Sequence, residues 1–360
     1  MGLPTRFQAN HLHVIGHRLF MAAGTPHPIA DFVAQILVNA NLAGHDSHGV
    51  QFLPMYLDRI EAGGITPNVE PVIAKETATT LLVDGKGGFG HYTIRQALYW
   101  AIDRAKESDV CCVNFTGLTH MGRLGEFAEL AVAADCMVIL TSGGGSKNSG
   151  NVTPFGGAQP ALSTNPIAVG VPTGDDEPFI LDFATSIVAG AKVRVAHNKG
   201  VDVPEGWIVD KHGNPTTNPA DFEEGGGYLL PFGGHKGYAL ALLVCLLGGL
   251  AGNFDVARAS MGGAFLQVIN IDSFSPLADY QEGVRAFLNG LRSTPPAPGF
   301  DAVQVPGDFE RRSRRERLAH GIEVPEAVCK RIEEWAEKLN VSLSEVERDA
   351  ASIDRYQATS

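Results

Sequence analysis

Apolar residues recur at helical spacing through the first part of the chain, from residue 5 to residue 62. The clearest stretch runs from Ile29 to Asn41, and a second follows from Gln51 to Glu61. Because residues three and four apart lie on one face of a helix, we predict that this part is mostly helical. Gly63 to Pro67 interrupts the pattern and predicts the start of a linker.

Beyond the linker, short runs of apolar and β-branched residues are interspersed with further helical patterns. The predicted strands are Thr80–Asp84, Val110–Asn114, Met137–Thr141, Asn165–Val171, Phe179–Phe183 and Gly263–Asn270. The predicted helices are Thr93–Glu107, Glu126–Ala134, Ala239–Leu247 and Val324–Leu339. The segment from Ser142 to Gly157 is rich in Gly, Ser and Asn, so we predict a flexible loop that could close over a ligand.

Composition narrows the possible classes of protein. A chain of 360 residues that is 44% hydrophobic can bury a large core, in two domains or one large one. The formal charge of −12 argues against a nucleic-acid partner, because phosphates favour a basic surface. No apolar run reaches the ~18–20 residues of a spanning helix, so we expect no membrane association. Five sparse cysteines without a Cys-x-x-Cys pair, and no signal-peptide core, predict a cytoplasmic protein with reduced thiols.

The stretch His45 to Gly49 carries the strongest candidate chemistry. It places two imidazoles, a carboxylate and a hydroxyl in four consecutive positions, at a junction between two predicted helices. Histidine is the side chain best suited to exchange a proton near neutral pH, so we predict an acid/base role for His48. The alternative is that Asp46 or Ser47 caps the next helix and His48 is a structural residue.

The same stretch contains a His-x-x-His spacing, which can bind zinc. Further ligands would have to come from His11, His13 or His17 by tertiary approach. We do not predict a metal site, and we keep a zinc enzyme as the last alternative.

Gly85 to Gly90 fits the Gly-x-Gly-x-x-Gly pattern of dinucleotide sites, after a predicted strand and before a predicted helix. The next strand runs into Asn114 to Gly117, where a ribose-binding carboxylate would be expected and none occurs. The pattern therefore fails its confirming test, and an ordinary glycine-rich turn is the alternative to a Rossmann site.

Two predicted helix starts could bind an anionic group, because helix N-termini present unpaired N–H groups. They are Thr119 to Gly125, which includes Arg123, and Leu230 to Tyr238, which includes His235 and Lys236. The alternative for both is a helix start with solvated side chains. Asp182 ends an apolar strand, where a carboxylate is costly unless it is paired, used or capping a helix.

A set of motifs spread over nearly the whole chain resembles the malate/L-lactate dehydrogenase family that lacks a Rossmann fold. The motifs occur in the family's order, which makes the set far more specific than any one of them. They are Ala43–Gly49, His120–Arg123, Thr164–Pro166, Leu181–Ser186, Pro215–Pro219, His235–Tyr238 and Pro306–Gly307.

This resemblance implies an α/β protein with a mixed sheet, a non-Rossmann nicotinamide site and a helical domain built from both chain ends. We therefore predict a helical domain of residues 1–75, to which 306–360 returns, and an α/β domain of residues 76–305. It also implies a homodimer that uses NAD or NADP to interconvert 2-oxo and 2-hydroxy acids.

The resemblance also assigns roles to residues. His48 would donate the proton and Ser47 would relay it, and we add the hypothesis that Asp182 orients His48. We place Arg123, His120 and Phe52 at the substrate. The implied cofactor contacts are His48, Gly122, Arg123, Leu124, Ile180, Leu181, Asp182, Phe183, Ala184, His235, Lys236, Gly307, Asp308, Phe309 and Glu310.

One departure from the family bears on the substrate. Many members have an arginine four residues after the catalytic histidine, and this chain has Phe52 there. Carboxylate binding would then fall to Arg123, and the pocket would favour a bulkier, less polar substrate. Two further alternatives stay open: an imine reductase acting on a cyclic 2-carboxylate, and a non-catalytic metabolite-binding member of the family.

Overall fold

The computed structural model describes Leu3, residues 5–343, Val346 and Tyr356. The helices are α1 (Ala9–Ala22), α2 (His27–Leu42), α3 (Phe52–Glu61), α4 (Gly90–Ser108), α5 (Gly125–Val132), α6 (Gly190–Lys199), α7 (Pro219–Glu223), α8 (His235–Gly249), α9 (Leu277–Arg292), α10 (Asp308–His320) and α11 (Glu326–Lys338). The strands are β1 (Arg6–Phe7), β2 (Val72–Glu76), β3 (Thr80–Asp84), β4 (Val110–Thr116), β5 (Cys136–Ser146), β6 (Ile167–Val171), β7 (Phe179–Phe183), β8 (Ile208–Val209), β9 (Pro215–Thr216), β10 (Tyr228–Leu229), β11 (Phe254–Asp255), β12 (Ser260–Asn270) and β13 (Ile322–Glu323).

The main sheet is mixed, with the strand order β2-β3-β4-β12-β5-β6-β7 and with β11 paired to β12. Strands β3 and β4 are parallel and are joined through α4, whereas the other neighbours in the sheet run antiparallel. The longest pairing joins β5 and β12 along the whole length of both strands. This arrangement confirms the predicted mixed-sheet α/β fold and differs from the parallel sheet of a Rossmann domain.

Helices cover both faces of the sheet, as the alternation of side chains along its strands requires. Val113 and Phe115 of β4 are buried on the face against which α4 packs. Asn114, between them, points to the other face, where its side-chain amide donates to the carbonyl of Leu247 in α8. Helices therefore cover both faces of the sheet, and the polar residues at the ends of its strands are the ones that stay accessible.

The two ends of the described chain meet at the helical part. Strand β1 pairs with β13, α10 packs on α2, and α11 packs on α3. One continuous apolar core joins these helices to the sheet, and a smaller apolar cluster lies around Val193 and Leu229. The predicted division into two domains stays a prediction. Its C-terminal part beyond residue 343, apart from Val346 and Tyr356, lies outside the described residues.

Several predicted boundaries need correction. The segment 142–157 is not a loop throughout, because residues 142–146 extend β5 and pair with β12. The linker after residue 63 contains β2, an edge strand whose five residues are all exposed and therefore show no apolar pattern. The sequence interpretation also missed α6 and α9. Within the part of the chain that the structure describes, no helix is long and apolar enough to cross a bilayer.

Candidate active site

His48 lies in a short 3₁₀ turn, Asp46–His48, between α2 and α3. The side chain of Asn41 holds this turn from both sides. Its oxygen accepts from the backbone N–H of Val50 at 2.8 Å, and its nitrogen donates to the Asp46 carboxylate at 2.6 Å. A Cβ at Gly49 would lie 2.2 Å from the same side chain, so only glycine fits there. The turn is therefore rigid before any ligand arrives.

The imidazole of His48 has one occupied and one open nitrogen. Its Nδ1 lies 3.1 Å from the Ser47 hydroxyl. Its Nε2 makes no hydrogen bond among the described residues and is not fully buried. The ring of His120 is nearly parallel to it, at 9° and a centroid distance of 6.2 Å.

His120 has the same arrangement as His48, with one occupied and one open ring nitrogen. Its Nδ1 lies 2.6 Å from the hydroxyl of Tyr56, and its Nε2 likewise has no partner in the described chain and reaches the surface. The ring of Phe52 stacks on it at 5.0 Å, and His91 lies behind Tyr56. We call these five residues, His48, Phe52, Tyr56, His91 and His120, the histidine cluster.

The histidine cluster is uncharged near neutral pH. Burial, together with charge repulsion from His120, His45 and Arg123, lowers the pKa of His48 to about 4. Burial also lowers the pKa of His120 to about 4. Burial holds the pKa of the fully enclosed His91 well below its usual value. The imidazoles therefore act as neutral donors and acceptors of hydrogen bonds rather than as cations.

A second group of residues is charged and surrounds the side chain of Arg123. The guanidinium of Arg123 is 2.9 Å from Glu129 and 3.8 Å from Asp182, and it reaches Glu126 at 4.0 Å. Arg314 of α10 lies 3.2 Å from Glu129. We call these residues, Arg123, Glu126, Glu129, Asp182 and Arg314, the ionic cluster. Burial raises the pKa of Glu126 to about 7 and also raises the pKa of Asp182.

The geometry changes two of the predicted roles. Arg123 is only 3% exposed and faces carboxylates of the protein, so its placement favours a structural role over binding the substrate carboxylate. Asp182 accepts from the backbone N–H of Gly125 at 2.7 Å and faces Arg123, and it makes no hydrogen bond with His48 among the described residues. Asp182 therefore holds the start of α5, and the group that contacts His48 is the Ser47 hydroxyl.

Two of the predicted cofactor segments, residues 180–184 and 307–310, lie beside each other. The backbone N–H of Ile180 donates to the carbonyl of Pro306 at 3.3 Å, which joins β7 to the turn before α10. Glu310 in that helix lies 2.9 Å from His45. The residues that line a cleft of about 650 Å³ include Ile180, Gly307, Glu310 and Arg311.

The cofactor role of this cleft stays a prediction. Its lining is rich in carboxylates and also contains Arg311 and Arg314. Gly307 has φ +103°, and a Cβ there would lie 2.7 Å from the Arg311 guanidinium, so glycine lets this side chain pack against the turn. Gly307 immediately precedes α10, and helix N-termini suit phosphate. The volume also falls within the range of small-molecule sites.

His235 and Lys236 lie at the first turn of α8, and both are exposed. The preceding Phe232 donates its backbone N–H to the carbonyl of Thr185 at 3.0 Å, just beyond the end of β7. Their predicted cofactor contacts stay a prediction.

Sequence reasoning missed Tyr56 and His91. The helical spacing of His48, Phe52 and Tyr56, each four residues apart, was the available signal for Tyr56. His91 offered no such signal, because it meets the others only by folding. Among the described residues no group of three His, Cys, Asp or Glu side chains could hold a metal ion, and His45 pairs with Glu310.

Comparison with known proteins gives one consistent result. A family model described as malate/L-lactate dehydrogenase matches residues 7–333. An L-lactate dehydrogenase of Cupriavidus necator is 35% identical over 334 residues, which cover 90% of this chain and 95% of that protein. Hydroxycarboxylate dehydrogenase B of Escherichia coli strain K12 is 35% identical over 339 residues, covering 90% and 92%. The solved sulfolactate dehydrogenase of Methanocaldococcus jannaschii superposes with a TM-score of 0.86 at 30% identity, covering 94% and 99%.

The mixed-sheet fold and these matches define an oxidoreductase of the hydroxyacid dehydrogenase class. This class implies a nicotinamide cofactor. The chain belongs to the malate/L-lactate dehydrogenase family.

Proposed function

We propose that the protein uses NAD or NADP to interconvert a 2-oxo acid and the corresponding 2-hydroxy acid, with His48 as the proton donor and acceptor. The observation that carries this proposal is the pair of nearly parallel imidazoles, His48 and His120, whose Nε2 atoms both lack a hydrogen bond among the described residues and are not fully buried. Two such groups can contact two oxygens of one small acid. The bound nicotinamide supplies or accepts the hydride at the carbon that carries the oxygen.

His48 is suited to move a proton in either direction. A hydroxyl can donate and accept at once, so the half-buried Ser47 can pass a proton from solvent to Nδ1 or from Nδ1 to solvent. Nε2 can then carry the proton that the new alcohol oxygen receives, or stand ready to remove it. In the oxidation of a hydroxy acid, the lowered pKa of His48 keeps the imidazole unprotonated and available as a base.

His120 and Phe52 are placed to select the substrate. Nε2 of His120 can bind a carboxylate or carbonyl oxygen, which replaces the role first expected of Arg123. The ring of Phe52 stacks on His120 and lies 6.1 Å from His48, so the wall between them is apolar. This wall supports a substrate with a bulky, weakly polar side chain.

Assembly and location complete the proposal. We propose a homodimer, which is supported by an exposed apolar face on α8 formed by Leu242, Leu243, Leu246 and Leu250. We also propose a cytoplasmic location, which is supported by the free state of all five cysteines.

The first experiment follows oxidation of NADH and NADPH separately by the purified protein. The substrates are pyruvate, oxaloacetate, 2-oxoglutarate, phenylpyruvate and Δ1-piperideine-2-carboxylate, each with and without a chelator. We expect turnover of an oxo acid that the chelator does not affect. Turnover of the imine alone would replace the proposal with an imine reductase. Cofactor binding without any turnover would support a metabolite-binding protein, and inhibition by the chelator would revive the zinc alternative.

A further inference from the structure

The glycine-rich turn at Gly85–Gly90 has a use that the cofactor site does not explain. It lies against the segment that carries His120. The backbone N–H of Gly90 donates to the Thr119 hydroxyl at 2.9 Å, and that hydroxyl donates to the carbonyl of Gly88 at 2.7 Å. A Cβ at Gly90 would lie 2.3 Å from the Thr119 carbonyl oxygen and 2.6 Å from that of His120. Glycine is therefore needed because two backbones touch, and the turn supports the base of His120.

His91 follows this turn and extends the support to the side chains. It is fully buried in the first turn of α4. Its Nε2 lies 3.3 Å from the Tyr56 hydroxyl and only 2.7 Å from where a Cβ on Gly122 would be. The His91 imidazole thus packs between the backbone of the 120–122 segment and Tyr56, which in turn contacts His120.

The hydrogen bonds that join His91, Tyr56 and His120 can run in two main directions. Tyr56 has one proton, and its hydroxyl lies near two ring nitrogens. If Tyr56 donates to His91, the Nδ1 of His91 carries a hydrogen with no acceptor, because that buried atom has no partner in the described chain. If Tyr56 donates to His120, His91 donates from Nε2, and its Nδ1 is only a bare acceptor.

Two observations favour donation from Tyr56 to His120. Buried N–H groups without an acceptor are rarer in proteins than under-used acceptors. The contact of 2.6 Å with His120 fits an O–H donor, whose bonds are shorter than those of N–H donors. Since Nδ1 of His120 then accepts, the single proton of its ring lies on Nε2, which has no partner in the described chain and is not fully buried.

We propose that His91, through Tyr56, is a positioning residue that fixes His120 in the tautomer with a hydrogen on Nε2. His120 then offers the substrate a permanent hydrogen-bond donor, which selects an oxygen acceptor such as a carboxylate or carbonyl. This inference rests on the proposed function for its substrate and on the geometry alone for its tautomer. The two histidines then differ in their tautomers. The Ser47 hydroxyl lets His48 change tautomer, whereas the Tyr56–His91 pair holds His120 in a single tautomer.

The tautomer can be tested in the resting protein. Long-range proton–nitrogen NMR of protein labelled with ¹⁵N-histidine distinguishes a protonated Nε2 from a protonated Nδ1, and the His120→Gln variant assigns the signal. We expect a protonated Nε2 and an accepting Nδ1 for His120 in the wild type, and loss of the accepting Nδ1 signal in Tyr56→Phe. A protonated Nδ1 in the wild type would overturn the inference whether or not the enzyme turns over an oxo acid.

Kinetics of the same variants test the consequence. In Tyr56→Phe and His91→Leu we expect the KM for the oxo acid to rise about tenfold while kcat changes less than about twofold, because a binding contact is lost. His91→Gln should restore the KM, because its amide can donate to Tyr56. Tyr92→Phe, which removes the neighbouring hydroxyl that points toward Glu70, is the matched control and should leave both constants unchanged.

The outcomes separate the two proposals. A wild-type Nε2 tautomer in a protein that turns over no oxo acid would remove the proposed function and leave the positioning role standing. Equal KM values in His91→Leu, His91→Gln and the wild type would overturn the positioning role. A matched loss of kcat and thermal stability in both His91 variants, without rescue by Gln, would also overturn it, because it would show a purely structural residue.

Discussion

The histidine cluster and the ionic cluster meet at the segment from His120 to Gly125, which contributes His120 to the first and Arg123 to the second, and burial shifts pKa values in both. The first contains titratable groups that stay neutral, because burial lowers their pKa values and hydroxyl groups hydrogen-bond to the Nδ1 atoms of His48 and His120. The second keeps charges and pairs them around Arg123. Neighbouring residues of one short segment therefore meet the cost of burial in two different ways.

The difference shows which region can take part in chemistry. Arg123 is almost fully buried and faces carboxylates of the protein, so a ligand has little access to it. A neutral imidazole with one open nitrogen can exchange a proton without creating an unpaired charge beforehand. We therefore assign reactivity to the histidine cluster and support to the ionic cluster.

The sharpest test of this assignment is His48→Asn. We expect kcat/KM for the oxo acid to fall about 10²–10⁴-fold, which is the usual contribution of a general acid. Thermal melting should stay close to that of the wild type, because the only side-chain hydrogen bond of His48 within the described chain is to the adjacent Ser47. Steady-state assays and melting curves measure the two effects, and retention of full activity would refute the role of His48.

Arg123→Met should show the opposite balance. Its removal leaves Asp182 and Glu126 buried without the guanidinium that faces them, while Glu129 keeps Arg314. Breaking a buried ion pair typically costs about 3–5 kcal/mol of unfolding free energy. Denaturant titration measures this loss. The folded fraction should keep its KM for the oxo acid within about threefold, since losing a charge-assisted hydrogen bond to substrate would cost far more. A stable variant with a KM raised a hundredfold would instead restore Arg123 as the substrate ligand.

The pH dependence of the oxidation reaction reports the neutral state of His48. Because its pKa is about 4, the base is already unprotonated above pH 5, and kcat/KM should be level from there to neutral pH. Below pH 4 it should fall about tenfold per unit. His120→Gln removes one of the causes of the lowered pKa and should move this midpoint upward. A midpoint near 6.5 in the wild type would contradict the burial argument.

The two clusters should change the pH dependence of the unfolding free energy in opposite directions. For His120 the folded pKa of about 4 lies below the usual 6.5, so its contribution to stability is lost as pH falls through that window. For Glu126 the folded pKa of about 7 lies above the usual 4.5, so its contribution is lost as pH rises through that window.

Two variants isolate these contributions. Between pH 7 and pH 5, His120→Gln should weaken the loss of unfolding free energy on acidification, and Glu126→Gln should strengthen it. Each change should be roughly 1–3 kcal/mol, since one pKa unit corresponds to about 1.4 kcal/mol. Denaturant titrations at both pH values measure the slopes, and slopes that change in the same direction would contradict the comparison.

The smallest effect concerns Phe52. Phe52→Arg should raise kcat/KM for oxaloacetate relative to phenylpyruvate by about tenfold, the size of one charge-assisted hydrogen bond of about 1.5 kcal/mol. Phe52→Leu, which stays apolar, is the control and should not raise the ratio. The ratio of the two substrates, measured side by side, decides whether the Phe52 wall selects the side chain.

Local patterns predicted the elements whose apolar residues form a short run or repeat clearly. Thr80–Asp84 and Phe179–Phe183 match β3 and β7, because short runs of apolar and β-branched residues favour strands. The edge strand β2 was missed because all of its residues are exposed. The extension of β5 was missed because a run of three glycines there predicts a loop, whereas the close approach of β12 makes it a strand.

At the site, the sequence alone determined the chemistry that is local: a histidine with a hydroxyl beside it, at a junction between two helices. It also determined the family, through motifs in a fixed order. Only the tertiary structure decided that Arg123 faces carboxylates, that Asp182 holds the start of α5, and that His91 reaches Tyr56. Asp182 is 57 residues from Gly125 and His91 is 35 residues from Tyr56, and no periodicity encodes which buried groups will meet. Their roles follow from burial, because each buried polar group takes the partner that folding places within reach.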